Sequence, residues 1–416
     1  MFLPPGSHSC GDLLKNTESA IKEHEMNQKI MILSSDKTGQ GHESIVQALK
    51  EQFSELYSQT EVKIVNGFII GGSFGRFVER LYYPAVKYTP FLWKLFFQLT
   101  SRFPGAMDAI TSRHIEKDFI KNFKEFNPDL IVSVHPGFVG SINNLLQKHR
   151  LDIPFIVLIA DLVSLSSLWA DPRSSCILCP TEESKARLME FGLDEDKLKV
   201  FGFPVRKRFC KLVPDGCAGR DAAAGDTLNL LIFANAFGRI RTESMVEKLT
   251  ENFNCSLTIL TGRDERLRKY LDKRLKTTLG EKLRLPGYVV NMEQYMNDND
   301  VLITKAGPNI IMEAIHSGIP VIMTGSLPGQ EEDTPEWVVS QGMGAVSIKI
   351  PDLIETIRKL LANDKYLLKE IARNQRLYNN TNAAQEMVRF ISAYETGPGQ
   401  FSHLALSHSD SKVPAL

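Results

Sequence analysis

Short apolar runs alternating with stretches of helical period organise this chain. Lys29-Ile-Met-Ile-Leu-Ser34 predicts a first strand, and after a loop Val46, Leu49, Phe53 and Leu56 recur at helical spacing. Val62–Asn66 predicts a second strand. Strand, loop, helix and strand make a βαβ unit, the building block of a parallel sheet. Leu130–Val134, Phe155–Ile159, Cys176–Cys179 and Leu198–Phe201 are apolar runs of the kind buried on both faces. Residues 213–227, with Pro214, Gly216, Gly219 and Gly225, break the rhythm as a linker does. The pattern then restarts with a strand at Leu228–Phe233, a helix around Glu243–Leu249, a strand at Ser256–Leu260 and a charged helix from about Asp264 to Leu279. Strands from Leu283, at Val301–Thr304 and at Pro320–Met323 follow, and Ala384, Val388 and Ile391 line one face of a late helix.

The expected fold is therefore α/β: two Rossmann-like domains with parallel sheets facing each other across a cleft. The expected divisions are a flexible leader (1–27), an amino-terminal Rossmann-like domain (28–212) and a linker (213–227). A carboxy-terminal Rossmann-like domain (228–380), a terminal helix (381–396) and a flexible tail (397–416) complete the chain.

Composition narrows the class. Apolar residues make up 43% and charged residues 24%, as in a folded chain with a sizeable core. Lys plus Arg equal Asp plus Glu at 49 each, so no nucleic-acid partner is expected. Among the six cysteines only Cys176-Ile-Leu-Cys179 has a CxxC spacing. It lacks the second pair or histidines of a zinc site, which leaves buried strand thiols or a redox pair. The chain reads as reduced and intracellular, without a secretion signal or a spanning helix, so membrane contact would be peripheral and on the cytoplasmic face.

Three loops carry candidate chemistry. The first, Asp36-Lys-Thr-Gly-Gln-Gly-His42, joins a strand to a helix at the carboxyl end of a sheet, where ligands bind in open α/β folds. Gly39, Gln40 and Gly41 form an acceptor loop, and His42 at the helix start suits a general base; an ordinary βα turn with a surface histidine is the plainer alternative. The second, Thr304-Lys-Ala-Gly-Pro308 and the helix after it, is sharper. Pro308 fits the first helical position, and the amides of that helix start, with Lys305 beside them, attract a diphosphate. Glu313 lies deeper in the helix, where a carboxylate can accept two ribose hydroxyls. The third, Leu327-Pro-Gly-Gln-Glu-Glu-Asp333, offers Gln330 and Glu331 to sugar hydroxyls.

These loops occur in one order with Ala160-Asp-Leu-Val163, Cys179-Pro-Thr-Glu-Glu-Ser184, Val200-Phe-Gly-Phe-Pro-Val-Arg206, Gly287-Tyr288, Asn291-Met292 and Pro328-Gly-Gln-Glu331. The series resembles the monogalactosyldiacylglycerol synthases and their bacterial diacylglycerol glucosyltransferase relatives, over roughly residues 28–395. The resemblance implies a GT-B fold, a UDP-sugar donor (UDP-glucose or UDP-galactose), a diacylglycerol acceptor and inversion at the sugar. It implies that Lys305, Gly307, Pro308 and Asn309 hold the diphosphate, Glu313 the ribose, Gln330 and Glu331 the sugar, and that Tyr288 and Val289 flank the uracil. His42 and Asp161 fall on the acceptor side, and no cofactor or metal is implied. Two positions depart from the family pattern. The phosphate loop Phe233-Ala-Asn-Ala-Phe-Gly238, with Asn235 and Gly238, has one glycine, and Gln40 stands where the galactolipid enzymes usually have glycine.

The expected reaction is an in-line displacement with His42 as base; Asp161 could replace it, orient it, or merely cap a helix. Residues 66–103 are rich in aromatics, with Arg76, Arg80, Lys87, Lys94 and Arg102 against the single acid Glu79. Tyr82, Tyr83, Trp93, Phe96 and Phe97 with these bases suit an anionic membrane interface, or else a pair of core-packing helices. Rival functions on the same fold are transfer to another lipid-linked acceptor, nucleotide-sugar 2-epimerisation, or binding of UDP without turnover.

Overall fold

A computed structural model describes residues 28–35, 40–72, 75–78, 80, 89–210, 227–234 and 237–394. The expected leader and tail, most of the linker, Gly39, Tyr82, Tyr83, Lys87 and Asn235 lie outside the described residues, as does the side chain of Gln40.

Two six-stranded sheets form the molecule. The first comprises β1 (Lys29–Ser34), β2 (Glu61–Asn66), β3 (Leu130–Ser133), β4 (Phe155–Leu158), β5 (Cys176–Cys179) and β6 (Leu198–Val200), in the order β2-β1-β3-β4-β5-β6. The second comprises β7 (Leu228–Phe233), β8 (Cys255–Leu260), β9 (Leu283–Arg284), β10 (Val301–Thr304), β11 (Val321–Met323) and β12 (Gly344–Val346), in the order β12-β11-β10-β7-β8-β9. Every pairing is parallel; Ile32 of β1, for example, lies between Ile64 of β2 and Val132 of β3. Central parallel strands are covered by helices on both faces and are therefore mainly apolar, and β3, β4, β5 and β10 are buried at every position; the edge strand β2, Glu61–Asn66, is more polar and more exposed.

This order creates a switch point in each sheet. The chain leaves β1 towards β2 and returns on the other side as β3; likewise β7 lies between β8 and β10. Loops after the strands at such points diverge and leave a crevice. The cleft described below is built from the end of β7 and from the segments that follow β1, β4, β6, β9, β10 and β11.

Several elements lay outside the sequence expectation. The stretch Ile350–Tyr378 is helical, broken at Ala362–Lys365, where three residues adopt left-handed backbone. Thr334–Ser340 is a further helix and β12 an extra edge strand. The terminal helix, Ala383–Ser392, packs on the Gln40–Leu56 helix of the first half rather than on the sheet that precedes it. Phe390 meets Phe201 with ring centroids 5.3 Å apart, and the Tyr394 hydroxyl donates to the Ser175 carbonyl at 3.2 Å. The CxxC pair is structural: Cys176 and Cys179 are buried in β5, and burial pushes both thiols up to about 12.

Candidate active site

A cleft of about 470 Å³ separates the two halves, and residues from both form its walls. On the first half, the Gln40–Leu56 helix starts at the end of the loop after β1 and places His42 in its first turn, 8% exposed. His42 Nδ1 stands 2.7 Å from the carbonyl oxygen of Val134. A carbonyl only accepts, so Nδ1 carries the hydrogen and Nε2 keeps its lone pair. The ring tilts against that of His135 at 4.8 Å, and His135 Nδ1 in turn accepts the Gly137 amide. Burial lowers His42 to about 4 and His135 well below its usual value, so both rings are neutral at pH 7.

Asp161 follows β4 and is 3% exposed. Its Oδ2 accepts the Trp169 indole N–H at 2.8 Å and its Oδ1 the Gln330 amide at 3.1 Å. Burial raises the carboxyl to about 6, against the pull of these two hydrogen bonds. Two sequence expectations are corrected here. The Val134 carbonyl, rather than Asp161, orients His42, and Asp161 is held by side chains from both halves instead of capping a helix.

On the second half, the Pro308–Ser317 helix follows Gly307, with Pro308 at its first position and no capping side chain among the described residues. Gly307, Pro308, Asn309 and Ile310 line the cleft, so the open amides of this helix start face it. Gly41 approaches so closely that a Cβ there would lie 2.5 Å from Asn309 Nδ2. The start of the Gln40–Leu56 helix and the start of the Pro308–Ser317 helix thus meet, and Gly41 serves that contact between halves. Glu313, 8% exposed, accepts Ser44 Oγ at 2.9 Å and Arg206 Nη2 at 3.1 Å, both from the first half. Burial raises its carboxyl, with the Arg206 charge opposing. Glu331 Oε2 accepts the Leu327 amide at 2.8 Å; burial raises this carboxyl too. Tyr288 and Val289 form another wall, with Arg263 stacked 4.8 Å over the Tyr288 ring.

Other expectations need revision. Lys305 is exposed and does not line the cleft, although its charge reaches Glu331. The cations on the wall are Arg206 and Arg208. Arg206 ends the Val200–Arg206 motif, and Arg208 pairs with Glu293 at 3.3 Å. Gly238 has a left-handed φ of 79°, starts the Arg239–Asn252 helix and is not on the lining; among the described residues of that loop, Phe233 is on the wall. His135, Trp169 and Ser44 act through contacts between distant segments, which leave no local pattern in a sequence.

The aromatic stretch divides. Pro90–Arg102 is a helix with Phe91, Leu92, Leu95, Phe96 and Leu99 exposed, Phe91 by 78%. Trp93 is half-buried, while Phe97 turns inward: a Cβ on Gly329 would lie 2.8 Å from its ring. Arg76 and Arg80 are exposed. The next helix, Pro104–Phe126, buries Ile115, Phe119 and Phe126. The Pro104–Phe126 helix therefore packs into the core, and the outer face of the Pro90–Arg102 helix is left exposed. No helix among the described residues is long and apolar enough to cross a membrane.

Paired parallel sheets with a cleft at their switch points define a GT-B protein. Acinetobacter baumannii MurG matches with a TM-score of 0.57 at 13% identity, covering 88% of this chain and 99% of that one. A UDP-GlcNAc 2-epimerase from Neisseria meningitidis matches with a TM-score of 0.55 at 15% identity, over 87% of this chain and 99% of that one. Likeness at this distance shows the shared fold alone.

Sequence relationships are narrower. Residues 42–205 match the monogalactosyldiacylglycerol synthase domain and residues 239–388 the carboxy-terminal domain of glycosyltransferase family 28. A probable chloroplastic monogalactosyldiacylglycerol synthase of Glycine max is 28% identical over 370 residues, 85% of this chain and 68% of that protein. Monogalactosyldiacylglycerol synthase 2 of Arabidopsis thaliana is 26% identical, over 93% of this chain and 85% of its own length. The chain thus joins a monogalactosyldiacylglycerol synthase domain to a family 28 carboxy-terminal domain, in the arrangement of a GT-B glycosyltransferase, and has homologues among the plant monogalactosyldiacylglycerol synthases.

Proposed function

We propose that the protein is a hexosyltransferase that moves a sugar from a UDP-sugar to diacylglycerol in glycolipid synthesis. The observation that carries the reading is the meeting of Gly41 and Asn309, which sets His42 and the amides of the Pro308–Ser317 helix in one cleft. The helix start, with Arg206 and Arg208, receives the diphosphate. Tyr288 and Val289 flank the uracil, Glu313 reaches the ribose, and Gln330 and Glu331 read the sugar.

The acceptor oxygen attacks the anomeric carbon as the bond from that carbon to the phosphate oxygen breaks. The electron pair leaves with UDP, the sugar inverts, and the hydroxyl proton passes to His42 Nε2. A base of about 4 is weak in the empty cleft, but two phosphate charges nearby raise it towards working pH. Cationic side chains and helix amides offset the charge on UDP, so turnover needs no metal and survives EDTA.

Tyr288, Gln330 and Glu331 serve UDP-glucose and UDP-galactose as the candidate donors, and the exposed apolar helix with Arg76 and Arg80 suits peripheral binding to anionic lipid. The cysteines described, Cys176, Cys179, Cys210 and Cys255, are free thiols, which favours the cytoplasmic face. Labelled UDP-glucose and UDP-galactose incubated with diacylglycerol vesicles test the reading. Glycosyl-diacylglycerol is expected; epimerised donor, or UDP binding without any transfer, would refute it.

A further inference from the structure

The Pro90–Arg102 helix has two faces with different tasks. Phe91, Leu95 and Leu99, four residues apart, with Leu92 and Phe96 beside them, form an exposed apolar strip, which Phe103, 60% exposed, extends just past the last turn. Lys94, Phe97 and Ser101, at the complementary spacing, touch the protein. Phe97 lies under Gly329, whose φ is 87°. Lys94 Nζ donates to Glu332 Oε1 at 2.6 Å, and Glu332 Oε2 accepts the Gly329 amide at 3.1 Å. At the other end, the Ser101 hydroxyl meets Ser166 Oγ at 2.9 Å and the Ser101 carbonyl accepts the Ser167 hydroxyl. The turn Ser167–Trp169 carries the indole that donates to Asp161, and the loop at Gly329 carries the Gln330 amide that does the same. One helix therefore braces both side chains that hold the Asp161 carboxylate.

We infer that this helix couples a lipid surface to the donor-sugar loop: docking its outer face in a bilayer steadies Gln330 and Asp161 through the Phe97–Gly329 and Lys94–Glu332 contacts. The inference rests on the transferase reading for the nature of the ligand. A 13-residue helix is marginal in water by itself. Burial of its outer face adds stability only when lipid is present, which gives the differential interaction that coupling requires. A bilayer is the occupant because the apolar strip ends on an exposed base, Arg102, whose guanidinium lies 6.0 Å from the Phe103 ring, and apolar side chains with a base beside them complement an anionic interface. Coupling is reciprocal, so donor must also tighten vesicle binding.

The test uses the full chain and vesicles of phosphatidylcholine with a minority of phosphatidylglycerol and no diacylglycerol, so no transfer occurs. Titration calorimetry measures UDP-galactose, UDP-glucose and UDP with and without vesicles. Vesicles should tighten the UDP-sugar that serves as donor by about 5-fold or more, and UDP itself less, because the braced loop faces the sugar. Phe97→Ala and the milder Lys94→Ala should keep vesicle sedimentation and lose the tightening. Phe91→Ser with Leu95→Ser should lose sedimentation and keep the vesicle-free affinity. Equal affinities with and without vesicles, or tightening that persists in both inner-face variants, overturns the coupling. So does failure of the wild type to sediment with vesicles. Failure of the transferase reading would show instead as absent transfer in the diacylglycerol assay, whatever the coupling.

Discussion

The carbonyl of Val134 fixes the imidazole of His42: a 2.7 Å hydrogen bond keeps the proton on Nδ1 and leaves Nε2 as the basic nitrogen. That nitrogen belongs to a cleft residue, so its removal tests the chemistry directly. His42→Ala should cut kcat by about 10²- to 10⁴-fold and leave UDP affinity, read by calorimetry, within about 2-fold. Near wild-type kcat would transfer the base role elsewhere, with Asp161 next in line.

His42 and Asp161 should give opposite pH signatures. His42 is lowered from 6.5 to about 4, so between these values the unfolded chain binds the extra proton and stability falls as pH drops. Asp161 is raised from 3.8 to about 6, so in its window the folded chain binds the extra proton and stability falls as pH rises. Asp161→Asn should therefore raise the melting temperature at pH 7 while lowering activity. Thermal melts from pH 4 to pH 7 check this; an unchanged or lower melting temperature at pH 7 would refute the raised carboxyl.

Gly41→Ala should fold normally yet weaken UDP binding. The new methyl would stand 2.5 Å from Asn309 Nδ2, so the Asn309 amide must turn away from its place at the donor helix. About 1 kcal/mol, or 5-fold in Kd, is expected. A Kd equal to wild type would mean that Asn309 plays no part in holding the nucleotide.

The Arg206–Glu313 pair spans the two halves at 3.1 Å with both side chains largely buried. Breaking one partner leaves the other charge uncompensated, so Arg206→Ala should cost about 2–4 kcal/mol in urea unfolding. Arg206→Ala with Glu313→Ala should cost less than the sum of the single changes. Strict additivity would show that the pair does not interact in solution.

The parallel sheets were legible because a strand buried on both faces has a continuous apolar run, as β3, β4, β5 and β10 do; β9, only Leu283–Arg284, has none. The Pro308–Ser317 helix was legible because Gly307, Pro308 and Gly318 mark its ends chemically. Other parts were not. Arg206 and Ser44 converge on Glu313 from segments far apart in sequence, which no local spacing encodes. That Lys305 is exposed and off the lining was not legible either, because a cation next to a helix start in sequence need not face the same space. The inward turn of Phe97 was equally hidden: the composition of the Pro90–Arg102 helix favours lipid, and the Gly329 contact decides otherwise for that one ring.

The last helix returns to the half where the chain began, with Asn380 donating to the Phe201 carbonyl at 2.9 Å as it crosses. The polypeptide thus passes between the halves twice, once between Cys210 and Thr227 and again near Asn380. The first half therefore holds the second by packing as well as by backbone: the two cannot part fully unless the terminal helix leaves the Gln40–Leu56 helix.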